Sequence, residues 1–432
     1  MGGNHECPGG GTGSSRRLSR REFLRRAGLV GLGVGLAGGI AAVVYRQLGL
    51  PVPLFGERPG VEKRQGLEYR AFGKTGEKVA MLGLGGYHFL EISQQEVTDI
   101  VQRYLDLGGN YVETAYAYGS GASERKVGQA LQGRREGVFL ATKVAARDRE
   151  GAARILEKSL ENLQTDHVDL LFMHGVQEFY ELEAILSEEG ALRAAEEARL
   201  AGQVRFIGIS GHGWADVLIE ALKRYPFDAV MHTFNYYDRF NYPSSETELL
   251  PLAAEKGVAV VGMKPVGDGY LYRSAGPAFR YAFTLPCATV VAGMNLMEYL
   301  EGDVAAAKAF EPLGKREMER LFAAAPELGD YVCRQCGRCV PNPRNVPIPQ
   351  VFQLEGMFDR QMDDARPHDP QDQRLRSQLN DWFGTRQVAR QRYRELGVNP
   401  DDFESCAGVE PQCPYGIGIV RKLKIAHAKL GR

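Results

Sequence analysis

The sequence predicts an α/β protein built on a closed barrel of eight parallel strands, each followed by a helix, with a mainly helical second domain after it. Short, near-continuous apolar runs alternate strictly with amphipathic stretches between residues 66 and 310, as expected of strands buried on both faces. Eight such units over ~250 residues are what barrel closure requires. Five of the seven cysteines crowd into the last quarter of the chain, outside the repeating part. That placement suits a metal centre better than disulfides spread over the fold.

The strands read, in order, as Val79–Leu84, Tyr111–Thr114, Val138–Thr142, Asp169–Met173, Phe206–Ile209, Ala229–Thr233, Ala259–Met263 and Thr289–Ala292. Helical periodicity falls between them, at Val97–Leu107, Ala152–Leu163, Ala191–Ala201, Trp214–Arg224 and Glu246–Lys256. An open doubly wound sheet is the competing arrangement, but no G-x-G-x-x-G follows the first strand. Leu67–Gly76 reads as a small hairpin closing the barrel bottom. Residues 49–65, rich in Pro, Gly and charge, read as a linker.

The net charge of -1 leaves no broad basic field, which excludes nucleic acid as a partner. The one dense basic stretch is Arg16, Arg17, Arg20, Arg21, Arg25 and Arg26, followed by an apolar run from Ala27 to Val44. Basic residues ahead of a moderately apolar run form a secretion-signal pattern. Ser19, the pair Arg20-Arg21, and Phe23-Leu24 resemble a twin-arginine export signal over residues 1–48. The competing reading is a transmembrane anchor, for which the run is barely long enough. The resemblance implies export of a folded, cofactor-loaded protein by the twin-arginine machinery, to the periplasm or to a membrane anchor facing outside the cytoplasm.

In such a barrel the reactive groups sit at the C-terminal strand ends. The second strand ends in Glu113-Thr114-Ala115-Tyr116-Ala117-Tyr118-Gly119, the third runs into Lys143 and the fourth into His174. Alone, each is an ordinary loop or surface residue. On successive strand ends, an acid, a tyrosine, a lysine and a histidine converge on one mouth.

Gly109-Asn110-Tyr111-Val112-Glu113-Thr114-Ala115 with Tyr118-Gly119 resembles the G-x-N-x-x-D-T-A-x-x-Y-G signature of aldo-keto reductases, and Leu140–Lys143, Asp169–His174 and Ile207–His212 are similar to further family segments. The resemblance implies carbonyl/alcohol hydride transfer on a small-molecule substrate with NADP(H) or NAD(H). Tyr118 is then the general acid. Lys143 lowers its pKa, from the ordinary value of about 10. His174 orients the carbonyl, and Glu113, where the family has Asp, holds Lys143 charged. On the cofactor side the resemblance implies Ser210, Lys264, Gly293, Met294 and Asn295. The family's strand-six glutamine is Met231. The helix after strand eight carries Glu298 and Glu301 where a 2′-phosphate clamp would need Lys or Arg.

Cys333-Arg334-Gln335-Cys336-Gly337-Arg338-Cys339 is an overlapped C-x-x-C-x-x-C, and Cys413-Pro414 lies far downstream. This reads as an iron–sulfur site, with zinc or spare thiols as alternatives. It resembles the ferredoxin-like tail of some aldo-keto reductases, over residues 311–432. That resemblance implies one 4Fe-4S cluster on Cys333, Cys336, Cys339 and Cys413, because the second motif keeps only Cys406 and Cys413. The cluster would serve structure or a redox partner protein. Two functions therefore compete: an exported nicotinamide-dependent oxidoreductase, and a catalytically weak barrel whose cluster serves electron transfer or partner binding.

Overall fold

The computed structural model describes residues 62–363, 374–375 and 386–432. The expected export segment and most of the expected linker lie outside the described residues. The described residues open on a three-stranded antiparallel sheet, β1 (Glu62–Arg64), β2 (Leu67–Ala71) and β3 (Lys78–Ala80), in that order. The linker expected to reach residue 65 thus ends in a strand. Glu-Lys-Arg has no apolar signal, but its backbone is paired along Leu67–Tyr69.

The expected first strand is two strands. Its first half is β3, and its second half is β4 (Leu82–Gly85) in the barrel. The break falls at Met81, whose N–H donates to Glu68 O (2.9 Å). The small sheet plugs the barrel bottom through Phe72, fully buried, with its ring centroid 4.7 Å from that of Phe139. Burying a side chain of this size is worth roughly 1.5–3 kcal/mol.

Seven more parallel strands follow: β5 (Tyr111–Glu113), β6 (Phe139–Val144), β7 (Val168–Met173), β8 (Val204–Ser210), β9 (Ala229–Thr233), β10 (Ala259–Met263) and β11 (Thr289–Gly293). The eight-stranded ring closes where β11 pairs with β4, with Val290 opposite Leu82. Its interior is filled by Tyr111, Phe139, Leu170, Phe172, Met231 and Val261, among others. A larger apolar layer lies between strands and helices. The helix Gln94–Asp106 is typical of that ring. Ser93 and Glu96 form its capping box, and Val97, Ile100, Val101 and Tyr104 face the barrel.

The barrel core reaches further than the repeating pattern did. Leu313, Met318, Ala325, Leu328 and Val332 pack with it. A second core begins at Cys333, and gathers Ile348, Val351, Phe352, Leu354, Met357, Phe403, Cys406 and Leu423. Its helices are Ile348–Asp359, Arg386–Glu395 and Ile419–Leu430, with a 3-10 stretch at Pro400–Gln412. Lys422 and Lys429 both pair with the fully buried Glu355 at 2.8 Å, and Tyr331 donates its hydroxyl to it at 2.5 Å. No helix among the described residues is long and apolar enough to cross a membrane.

Candidate functional site

The signature residues divide by role. Gly109 is a space requirement, because a Cβ there would stand 2.2 Å from the Tyr104 ring. Tyr104 in turn donates its hydroxyl to Leu82 O (2.7 Å). Asn110 accepts the Ala80 N–H (2.8 Å) and ties the small sheet to the barrel. These residues hold the strand that delivers Glu113 and Tyr118.

Glu113 ends β5 opposite Ala141 of β6. Lys143, two residues further along β6, points to the same face. Its Nζ donates to Thr114 O (2.9 Å) and to the Tyr118 hydroxyl (3.0 Å), and lies against the Glu113 carboxylate. Lys143 and Glu113 are 2% and 3% exposed, so the pair is closed to solvent. The Tyr118 ring meets those of Tyr87 and His174 edge-on, at 5.1 and 5.8 Å between centroids. Arg147 fixes the end of β7 by donating to His174 O (2.8 Å) and Gly175 O (3.2 Å).

Burial pushes the Tyr118 phenol above the ordinary tyrosine range, with Tyr87 adding to the rise. This corrects the expectation that Lys143 lowers it: desolvation of the phenolate outweighs the ammonium. The same burial pulls Lys143 well below the ordinary amine range. Glu113 is the carboxylate beside it. Burial, then Lys143 and Arg147, lower His174 to about 3, so its imidazole is neutral near pH 7.

The cofactor-side candidates lie at the ends of three strands. Ser210 ends β8, where its hydroxyl accepts the Gly175 N–H (3.0 Å) and donates to Met173 O (3.2 Å). Lys264 follows β10 with a left-handed backbone (φ 55°), and its ammonium pairs with Asp268 at 2.5 Å. Gly293 ends β11, Met294 is buried, and Asn295 donates to Glu91 (2.8 Å). The helix Met297–Lys308 then begins with Glu298 in its first turn, and Glu301 pairs with Arg103 (2.9 Å). Met231 is packed inside the barrel.

His212 was passed over in sequence. It is half-buried, and is pulled well below the ordinary histidine range by desolvation and then by Lys264, His174, His232 and Lys143. Its position two residues after Ser210 was the available signal. Arg360, which reaches the loops after β9 and β10, had none.

Cys333, Cys336, Cys339 and Cys413 line one pocket, with Phe352, Ile417 and Ile419 as apolar walls. Cys336 is exposed, and the Gln335 N–H donates to the Cys333 sulfur at 3.4 Å. Cys406 is buried and is not among the residues lining the pocket. Among the described residues no three His, Cys, Asp or Glu side chains converge as ligands of a metal ion. Burial raises the Cys333 thiol to about 12.

A parallel barrel with a lysine-bonded tyrosine and a neutral histidine at its mouth defines a carbonyl/alcohol oxidoreductase. The Aldo/keto reductase family profile matches residues 81–282. L-galactose dehydrogenase of Arabidopsis thaliana is 34% identical over 230 residues, which are 50% of this chain and 70% of that protein. The oxidoreductase YqkF of Bacillus subtilis is 31% identical over 214 residues, 47% of this chain and 66% of the relative. Among solved structures, the aldo-keto reductase AKR11C1 of Bacillus halodurans in its holo form is similar at 28% identity and a TM-score of 0.52, covering 59% of this chain and 96% of that one. The chain belongs to the aldo/keto reductase family.

Proposed function

We propose that the protein is an exported, nicotinamide-dependent oxidoreductase acting on a small carbonyl/alcohol pair, with one 4Fe-4S cluster in its C-terminal domain. The observation that carries the enzymatic reading is the Tyr118–Lys143 hydrogen bond with Glu113 closing the set from behind. A bound NADP(H) or NAD(H) supplies or accepts the hydride at the substrate carbon. Tyr118 holds the proton that the carbonyl oxygen takes up in reduction. Its raised pKa keeps that proton in place before reaction. Lys143 steadies the charge left on Tyr118 after transfer. The neutral His174 offers a ring N–H to the same oxygen. Ser210, Lys264, Gly293, Met294 and Asn295 border the mouth where the cofactor would lie.

The cysteine set fits a 4Fe-4S cluster in its chemistry: four thiols around one apolar-walled pocket, with a backbone N–H already given to a sulfur. A four-iron cluster spreads its thiolates more widely than one ion does. Each ligating thiol would give up its proton as metal binds. Export rests on Ser19–Leu24 and the apolar run behind them.

One preparation tests the cofactor and cluster readings. Anaerobically purified full-length protein should quench nicotinamide fluorescence on titration and contain about four iron and four sulfide per chain. No quenching with either cofactor would favour the barrel as a scaffold. Eight irons, or zinc, would end the one-cluster reading.

A further inference from the structure

Two adjacent residues join the cysteine loop to the cofactor side of the barrel mouth. Arg360 ends the helix Ile348–Asp359 and is 1% exposed, although it is an arginine 92 and 122 positions from the two loop carboxylates it touches. Its guanidinium pairs with Asp238 (2.9 Å), in the loop after β9, and with Asp268 (3.2 Å), in the loop after β10. Asp268 also holds Lys264. Tyr237 donates its hydroxyl to Arg360 O (2.6 Å).

Gln361 faces both ways. Its Oε1 accepts the Cys333 N–H (2.8 Å), while its Nε2 donates to Asn241 Oδ1 (3.0 Å) and Phe240 O (3.4 Å). Lys264, Asp268, Arg360 and Gln361 all have left-handed backbones, with φ between 55° and 61°. Such backbones persist only where their surroundings fix them.

We infer that Arg360 and Gln361 are positioning residues of the dinucleotide site, and that through them filling of the cysteine pocket and binding of the nicotinamide cofactor favour each other. The inference rests on the two cofactor readings above. A cluster that orders Cys333 orders its N–H, and with it Gln361 and the loop at Phe240–Asn241. A cofactor that orders the loops after β9 and β10 reaches Cys333 by the same bonds. Linkage makes the effect reciprocal.

The experiment uses anaerobically purified full-length holoprotein. Cluster absorbance is followed during loss to a chelator, with and without saturating NADPH or NADH, and cofactor affinity is measured by fluorescence before and after stripping. Bound cofactor should slow cluster loss several-fold, and stripping should weaken cofactor binding by about 5-fold or more, the lower end of a typical coupling between sites. Gln361→Glu keeps an acceptor for the Cys333 N–H but removes the donor to Asn241 and Phe240. It should hold full iron while the cofactor effect falls below about twofold. Gln361→Leu, which removes both halves without adding charge, should do the same if Gln361→Glu is poorly folded. Equal loss rates with and without bound cofactor in the wild type overturn the inference, as does full protection in both variants. Failure of the underlying readings looks different: no fluorescence quenching removes the cofactor reading, no iron removes the cluster reading, and either takes this inference with it.

Discussion

Lys143 and Glu113 form a closed ion pair across two adjacent barrel strands, although the glutamate is one methylene longer than the aspartate of the family pattern. Thr114 O holds the lysine Nζ independently of that carboxylate, at 2.9 Å. Tyr118 remains within hydrogen-bond reach. The substitution that looked most damaging in the sequence therefore leaves the proton-transfer pair assembled.

Glu113→Asp should retain kcat within about tenfold, since the charge stays and Thr114 still fixes Lys143. Glu113→Ala should lose roughly 10²-fold or more in kcat, because a buried ammonium without its partner shifts or deprotonates. It should also lose ~3–5 kcal/mol of stability, the usual result of stranding one member of a buried pair. Steady-state kinetics and urea unfolding of the three proteins check this, and equal activity in both variants would remove Glu113 from the mechanism.

Tyr118 and His174 set the pH behaviour in opposite senses. The phenol is raised and stays protonated through neutrality, while His174, at about 3, stays uncharged. Carbonyl reduction should then be level between about pH 6 and 8, with no limb near the ordinary histidine value of about 6.5. Alcohol oxidation needs the phenolate and should rise with pH over the same range. Tyr118→Phe should lower both directions by about 10²–10⁴. Initial rates in both directions across that range decide it, and a reduction rate that halves near pH 6.5 would contradict the neutral His174.

What was legible in the sequence follows from how each feature is encoded. Buried parallel strands are continuous apolar runs, so Ala229–Thr233 and Ala259–Met263 were readable to the residue. The split at Met81 was not, because Val79 to Leu84 is apolar throughout and only the partner of each half distinguishes them. The helix Ala122–Ala130 gave little periodic signal because Ser123 and Glu124 point inward and are fully buried. The Tyr118, Lys143 and His174 layout was visible because strand ends carry it at fixed places. Arg360 and Gln361 were invisible, since their role exists only once distant loops meet them.

His232 gives a stability prediction separate from catalysis. It is fully buried, with Nδ1 against Gly211 O (3.0 Å) and Nε2 against Ser245 Oγ (2.8 Å), which together fix the neutral ring. Its pKa falls to about 4 on folding, against 6.5 ordinarily. Between these values the unfolded chain binds a proton that the folded chain does not. Stability should therefore fall as pH drops from about 6.5 toward 4, by up to ~1.4 kcal/mol per unit for this group, and its contribution should be flat above 6.5. His232→Asn should be less stable at pH 8 but show a shallower acid slope, measured by urea midpoints at several pH values. An unchanged slope would assign the acid sensitivity to His174 and His212 instead.

Cys413 and Cys406 are close in sequence but differ in setting. Cys413 lines the pocket with the triple, while Cys406 packs among Phe403 and Val409 in the second core. Cys413→Ser should lose most of the iron, and Cys406→Ser should keep about four per chain with a small loss of stability. Iron analysis and cluster absorbance after anaerobic purification check this. Iron loss in Cys406→Ser alone would move the fourth ligand to that residue.

Gly356 tests how tightly the cysteine domain is seated on the barrel. It lies on the helix that ends at Arg360, and a Cβ there would stand 2.6 Å from Asn241 Oδ1 and 2.9 Å from Asn241 Cα. The second contact is backbone, so no rotamer change relieves it. Alanine is otherwise the better helix former, by ~1 kcal/mol. Gly356→Ala should nonetheless destabilise the protein by roughly 1–3 kcal/mol, because the helix must lift from the loop that Gln361 also holds. Gly276, in a barrel helix where a Cβ meets nothing, is the control, and its alanine variant should be neutral or slightly stabilised. Thermal unfolding of both variants separates local propensity from docking. Gly356→Ala with wild-type stability would mean that the second domain rests on the barrel more loosely than the Arg360 and Gln361 contacts indicate.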